Sequence, residues 1–412
     1  MTGLDRLDDI FWIIVAATMV MFMHGGFTLL GSGLIRQKNS VNVAIKNLVG
    51  FCFSIVLFWC FGFGLIFGQS AGGWIGITGF FGNMPLTPWI LTFFLFQAVF
   101  AGLTATIISI ALAERVRFSG FLVIAFIITA IIYPVVAHWV WGGSLDESPS
   151  GWLAKIGFVD FAGATVVHSV SGWFALAAVL NVGPRIGRFG QDSISFEGWN
   201  LPLAAAGTII LWFGWIGFHG GSLFGVTSAI PSMVVNTVLA GMFGGLVALV
   251  LSALFLPKPD VQSVIKGILA GMVAVSAAAH GFTVPMAVFA GSIGSLLCFW
   301  AAYLLNIWKI DDVIGAFPVH GVAGVWGTLA VALIGNPEVW GTGLTRGEQF
   351  MVQLTGVGAT FTWAFGLGYL GLWLLNQLIP LRVTAREEMI GLNVAEHGSI
   401  TELQETGLLR NI

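Results

Sequence analysis

The stretch Asp160-Phe-Ala-Gly-Ala-Thr-Val-Val-His168-Ser-Val-Ser-Gly172 decides the fold once it is set beside Phe317-Pro-Val-His320-Gly-Val-Ala-Gly324. Each places one histidine about eight residues into a long apolar run. An imidazole is costly in hydrocarbon, and ionisable side chains inside a bilayer face a partner or a polar route. Aligned on the histidines, the two segments also match at Val167 and Val319, Val170 and Val322, Gly172 and Gly324, Ala178 and Ala330, and Gly183 and Gly335.

Composition fixes the solvent. Of 412 residues, 57% are hydrophobic and 8% charged, and the mean hydropathy is +0.94. A soluble domain carries about a quarter charged residues, so this chain is built for a lipid bilayer. A formal net charge of -3 gives no support for nucleic-acid binding. Cys52, Cys60 and Cys298 lie in apolar runs without metal-ligand spacing and read as small buried hydrophobes. No nucleophile–base pair or metal cluster is legible, so neither an enzyme nor a cofactor is expected.

A crossing helix needs about 20 apolar residues. The pattern predicts an all-α polytopic membrane protein with eleven spans, at about 10–34, 42–67, 88–112, 118–141, 161–182, 199–218, 226–256, 263–281, 284–307, 313–335 and 350–379. The least distinct are the eighth and ninth, parted only by Gly281-Phe-Thr-Val-Pro285. Of the 16 Lys and Arg residues, only Arg6, Lys155 and Arg346 fall on one side of this topology. Basic residues concentrate on the cytoplasmic side, so the N-terminus is expected outside and the C-terminus inside the cell's inner membrane. His168 then lies on a span running inward and His320 on one running outward. Oppositely directed, internally similar spans mark an inverted repeat, helices one to five against six to ten, with the site where the repeats meet. The eleventh helix is an extra element, which places a membrane domain over 1–379 and a cytoplasmic tail over 380–412.

Further runs carry a family resemblance. Gly33-Leu-Ile-Arg-Gln-Lys-Asn39, Ala111-Leu-Ala-Glu-Arg-Val-Arg-Phe118, His138-Trp-Val-Trp-Gly-Gly143, the Asp160–His168 run, Leu211-Trp-Phe-Gly-Trp-Ile-Gly-Phe-His-Gly-Gly-Ser222 and Val319-His-Gly-Val-Ala-Gly324 closely resemble the Amt branch of the ammonium transporter/Rhesus family, in order, to about His397. The resemblance implies a homotrimer with one narrow pore per protomer. It implies that Trp141 and Ser222 form an outer ammonium site, that Phe100 and Phe218 are a stacked pair closing the pore mouth, and that His168 and His320 line the pore. It also implies that Asp160 supports the outer site from behind.

The chemistry of those residue types agrees. An aromatic face attracts a small cation by about 0.5–2 kcal/mol, a hydroxyl oxygen accepts hydrogen bonds, and a bare cation is held back from an apolar lumen by desolvation. Loss of a proton at paired imidazoles lets ammonia and the proton travel separately. The other histidines have plainer readings: His138 and His280 as satisfied packing residues, His24 without a role.

Some positions depart from the family pattern. His219 stands where Asn is frequent, a titratable ring beside the gate; Gly315 replaces an acid five residues before His320; Pro318 and Gly31 also differ. The run Arg386-Glu-Glu-Met-Ile-Gly-Leu-Asn-Val-Ala-Glu-His397 resembles the family's tail, which packs under the trimer. The continuation from Ser399 to Ile412 is similar to members whose membrane part leads into a cytoplasmic signalling module. Two functions are therefore expected to compete. One is an ammonium conduit, shut in such families by a P-II type signal protein. The other is an ammonium sensor that binds the ion and signals through a fused, kinase-like module.

Overall fold

In hydrocarbon every backbone N–H and C=O must be paired within its own segment, which leaves helices as the means of crossing for runs of this length. A computed structural model describes residues 7–145, 148–191, 193 and 196–399. Arg6 of the charge argument and residues 400–412 of the tail lie outside the described residues. Nine long apolar helices are present among the described residues: α1 (Leu7–Leu34), α2 (Gln37–Phe67), α3 (Pro88–Ala111), α4 (Phe118–Trp141), α5 (Ala164–Val182), α6 (Leu201–Gly221), α7 (Ile230–Phe255), α9 (Val284–Ile307) and α11 (Arg346–Leu378). Two shorter apolar helices, α8 (Val261–Val275) and α10 (Phe317–Leu333), lie where the eighth and tenth spans were expected.

The helix starts follow from local chemistry. Thr87 accepts from the Ile90 amide ahead of Pro88, Asn200 from that of Leu203 ahead of Pro202, and Thr345 and Glu348 form a reciprocal capping box. Each satisfies amide donors that a helix start leaves without partners. The largest departure from the expected boundaries is the eighth span, which stops at Val275 rather than running to 281. Beyond it the backbone is taken up by other partners. The Ser276 and Ala277 carbonyls accept from Ala162 and Phe161, and the Asn236 amide donates to the Ala279 and Phe282 carbonyls.

Close helix contact rests on glycine. Where α1 crosses α6, a Cβ on Gly26 would stand 3.0 Å from the Gly207 carbonyl, and one on Gly207 2.6 Å from the Gly26 carbonyl. With little hydrophobic drive between helices in lipid, such backbone approach supplies the packing. The same device joins the repeats. Gly172, four residues past His168, lies against Gly321, and Gly324, four past His320, lies against Ser169. The contact is reciprocal, as a pseudo-twofold axis between the halves demands.

At the end carrying most basic residues, buried charges are paired. Glu114 binds Arg36 at 2.5 Å and Arg185 at 2.8 Å, and Arg185 also reaches Asp311 at 2.8 Å. The tail folds onto this face as α12 (Ala385–Ile390) and α13 (Leu392–His397). There the Leu392 amide donates to Asn39, the Asn42 amide to Asn393, the Phe118 amide to Glu396 and the Ile186 amide to Glu388.

Candidate functional site

Four helices converge on a cavity of about 90 Å³ at the end opposite the basic loops, lined by Gln97, Phe100, Trp141, Ser144, Asp160 and Ser222 together with Phe161 and Phe224. Trp141 closes α4, and its indole N–H donates to the Asp160 carbonyl at 2.8 Å, which fixes the ring plane. Ser222, just past the end of α6, donates its hydroxyl proton to the Phe218 carbonyl at 2.9 Å. With that proton engaged, its lone pairs remain as acceptors. Ser144 is set up in the same way, donating to the Trp141 carbonyl at 2.7 Å.

Asp160 lines the cavity but is committed elsewhere. One carboxylate oxygen accepts from the Gly163 and Ala164 amides, the other from Thr165 and Val166, all within 2.8–3.0 Å. Burial pushes this carboxyl up and the four amides pull against that, the balance lying at about 6. The turn depends on Gly163, whose φ of +98° a side chain rarely adopts.

Behind the cavity the Phe100 and Phe218 rings stack, 4.2 Å between centroids and 6° between planes. Next along the same line, the His168 ring lies 5.4 Å from Phe218 and stacks on Trp215 at 5.3 Å. Its Nδ1 meets the Nδ1 of His320 at 3.1 Å. One proton fits between two such nitrogens, so the neutral rings hold complementary tautomers, one Nε2 bare and the other protonated. The His168 Nε2 is buried without a partner among the described residues. Both histidines sit in wide π turns, Ala164–Ser169 and Phe317–Val322, a local irregularity frequent at functional sites. Beyond His320 a pocket of about 10 Å³, room for about one water, is bounded by Phe27, Leu34, Lys266 and Gly315 among others.

His219, expected as a titratable ring beside the gate, has its ring centroid 5.7 Å from that of Phe218. Its Nδ1 meets the Thr237 hydroxyl at 2.7 Å and its Nε2 the Ser276 hydroxyl at 2.9 Å. Both nitrogens are thus engaged behind Phe218, and the ring is not part of the cavity lining. His138 is satisfied by the Ile66 carbonyl and Ser70, whereas the His280 Nδ1 is buried without a partner among the described residues. His24 is held by Thr106 and the Val99 carbonyl.

Sequence reasoning missed three residues. Gln97 and Ser144 line the cavity, and the Gln97 Oε1, on a side chain 3% exposed, has no partner among the described residues. Nothing in a lone Gln within an apolar run signals this. Asp312 had a signal: it precedes His320 by the same eight residues that part Asp160 from His168. It caps α10 as Asp160 caps α5, accepting from the Gly315, Ala316 and Phe317 amides. Gly315, with φ +78°, is the counterpart of Gly163.

A profile of the Ammonium Transporter Family matches residues 11–402. The ammonium transporter Amt2 of Archaeoglobus fulgidus is 38% identical over 412 residues, covering 95% of this chain and 87% of that protein. Among solved structures, one titled "Sensor Amt Protein" superposes with a TM-score of 0.91 at 41% identity, over 96% of this chain and all of the other. Mep2 of Saccharomyces cerevisiae gives a TM-score of 0.83 at 28% identity, over 93% of this chain and 88% of that one.

Proposed function

The chain belongs to the ammonium transporter family, and from that premise we propose that it carries ammonium through a pore in each protomer, with the ion bound in the cavity at Trp141, Ser222 and Phe100 and a proton exchanged at His168 and His320. The observation that carries this is the 3.1 Å contact between the two imidazoles, placed directly behind a stacked phenylalanine pair. At the cavity the ion meets the Trp141 face and the acceptor oxygens of Ser222, Ser144 and Gln97. Phe100 and Phe218 must part for it to proceed. Behind them hydrocarbon replaces water, the charge becomes costly, and a bare imidazole nitrogen takes one proton. Asp160 and His219 hold the cavity and the gate from behind.

In this reading the basic end faces the cytoplasm of the inner membrane, the N-terminus lies outside, and three copies assemble as a trimer. Residues 380–412 form the tail through which a conducting trimer meets a P-II type protein or a sensor reaches a fused signalling module. The sensor alternative has its own support in the likeness to the structure titled "Sensor Amt Protein" and in the tail's bonds to the loops beneath the pore. Labelled methylammonium uptake into liposomes holding the full chain, with calorimetric binding of ammonium alongside, separates the two. Saturable uptake that falls at least tenfold in His168→Ala establishes the conduit. Binding without uptake removes the transport reading and leaves the sensor.

A further inference from the structure

Resting on the cavity reading above, we propose that Phe224 closes the outer side of the ammonium cavity and sets the size of cation that the cavity admits. Its backbone singles it out. Four residues other than glycine have positive φ among the described residues, and Phe224, at +51°, is the one that lines the cavity. A side chain in that region is strained, and such outliers gather where a ligand is held. Glycine would take the same turn without strain, yet here the turn carries a large ring.

The surroundings hold the strained turn in place. The Phe224 amide donates to the Gly221 carbonyl at 2.9 Å. On either side the start of α1 clamps the segment: the Trp12 indole N–H donates to the Gly220 carbonyl at 3.0 Å, and the Asp9 carboxylate accepts from the Val226 amide at 2.7 Å. Gly225 makes room for that carboxylate, since a Cβ there would stand 2.9 Å from its Oδ1. The ring packs on three aromatic residues of α3, 5.3 Å from Phe93, 6.1 Å from Phe96 and 6.5 Å from Trp89. All three precede Phe100 on a helix that runs inward, Phe93 by about 10 Å along the axis. The cavity therefore has aromatic rings on both sides, Phe224 outward and the Phe100–Phe218 stack inward. In about 90 Å³, a methyl group added to ammonium meets the Phe224 ring on the entry side.

The test is calorimetric binding of ammonium and of methylammonium to the full chain in detergent. Phe224→Gly removes the ring and relaxes the turn, Phe224→Ser is a second variant without the ring, and Phe224→Leu keeps bulk without an aromatic face. The closure predicts that affinity for methylammonium relative to ammonium rises about tenfold in the Gly and Ser variants, the order of what one methyl group is worth in a fitted pocket. In Phe224→Leu the ratio is expected to stay within about twofold of wild type. An unchanged ratio in the Gly and Ser variants, with ammonium still bound, overturns the closure and leaves the cavity reading standing. A parallel fall of both affinities in the Gly, Ser and Leu variants also overturns it, in favour of a cation–π contact. A wild type that binds neither cation brings down the cavity reading and the closure together.

Discussion

A hydroxyl whose proton is already engaged can only accept, and that is what suits Ser222 and Ser144 to a ligand made of donors. Ammonium presents N–H groups alone, each of which such an oxygen can accept. A hydrogen bond to a charged group contributes about 1.5–3 kcal/mol, and each 1.4 kcal/mol is about tenfold in affinity. Ser222→Ala is therefore expected to weaken ammonium binding by about tenfold or more by calorimetry. Gln97→Leu removes an unpartnered acceptor and is expected to weaken it comparably; an unchanged affinity would show that the Gln97 oxygen faces away from the ion. Trp141, Ser222 and Phe218 were legible because long motifs carry them, and Phe100 through the overall resemblance alone. Gln97 was not, because only the fold brings α3 beside the ends of α4 and α6.

At the scale of elements, the two histidine helices are built alike. An aspartate eight residues upstream gathers the first amides of each, a glycine with positive φ turns the chain, and a wide turn presents the imidazole. Removing either carboxylate strands several buried N–H groups, each worth about 1–3 kcal/mol. Asp312→Ala is expected to lower the melting temperature of the purified protein as severely as Asp160→Ala does. A mild effect at one site alone would deny the equivalence. The helices and the histidine crossing were legible in hydropathy and in the internal match of the two segments. The early end of α8 was not, since apolar residues continue past Val275 and the break is explained by donation from the Phe161 and Ala162 amides, and from the Asn236 side chain, to the carbonyls beyond it.

For the whole molecule, Arg185 ties Glu114 in the first half to Asp311 beside the second, all three side chains nearly inaccessible. Breaking such a buried network costs about 3–5 kcal/mol, the expected loss in Arg185→Met, read from denaturation in detergent. Burial acts to raise the Asp311 carboxyl, but its pairing with Arg185 and the nearby Arg115 charge win and hold it well below the usual carboxylate range. A depressed acid stabilises the fold above its unfolded value of about 3.9 and loses that contribution as pH falls through the folded value. Stability from this pair is expected to stay flat above about pH 5 and to fall only in stronger acid.

The tail has the opposite chemistry. His397 accepts from the Asn42 side-chain Nδ2 through Nε2 at 2.9 Å, which requires a neutral ring. Burial lowers it and the Lys46 charge adds to that, against the pull of Glu396. A base held below its free value loses docking energy as pH falls through about 6.5 and below. The protection of residues 392–397 against hydrogen exchange, taken relative to the intrinsic rate at each pH, is expected to be weaker at pH 5.5 than at 7.5, and equal protection would remove His397 from the latch.

The reciprocal glycine contacts at the histidine crossing bear on how traffic moves. Gly172 lies on the Gly321 backbone there and Gly324 on the Ala164 carbonyl and Ser169, so neither half can tilt about the midplane without separating the imidazoles. A rocking cycle that exposes one face and then the other is closed to such a frame. What moves is the cargo and a few aromatic rings, so turnover should show the shallow temperature coefficient of diffusion rather than the steep one of a conformational cycle.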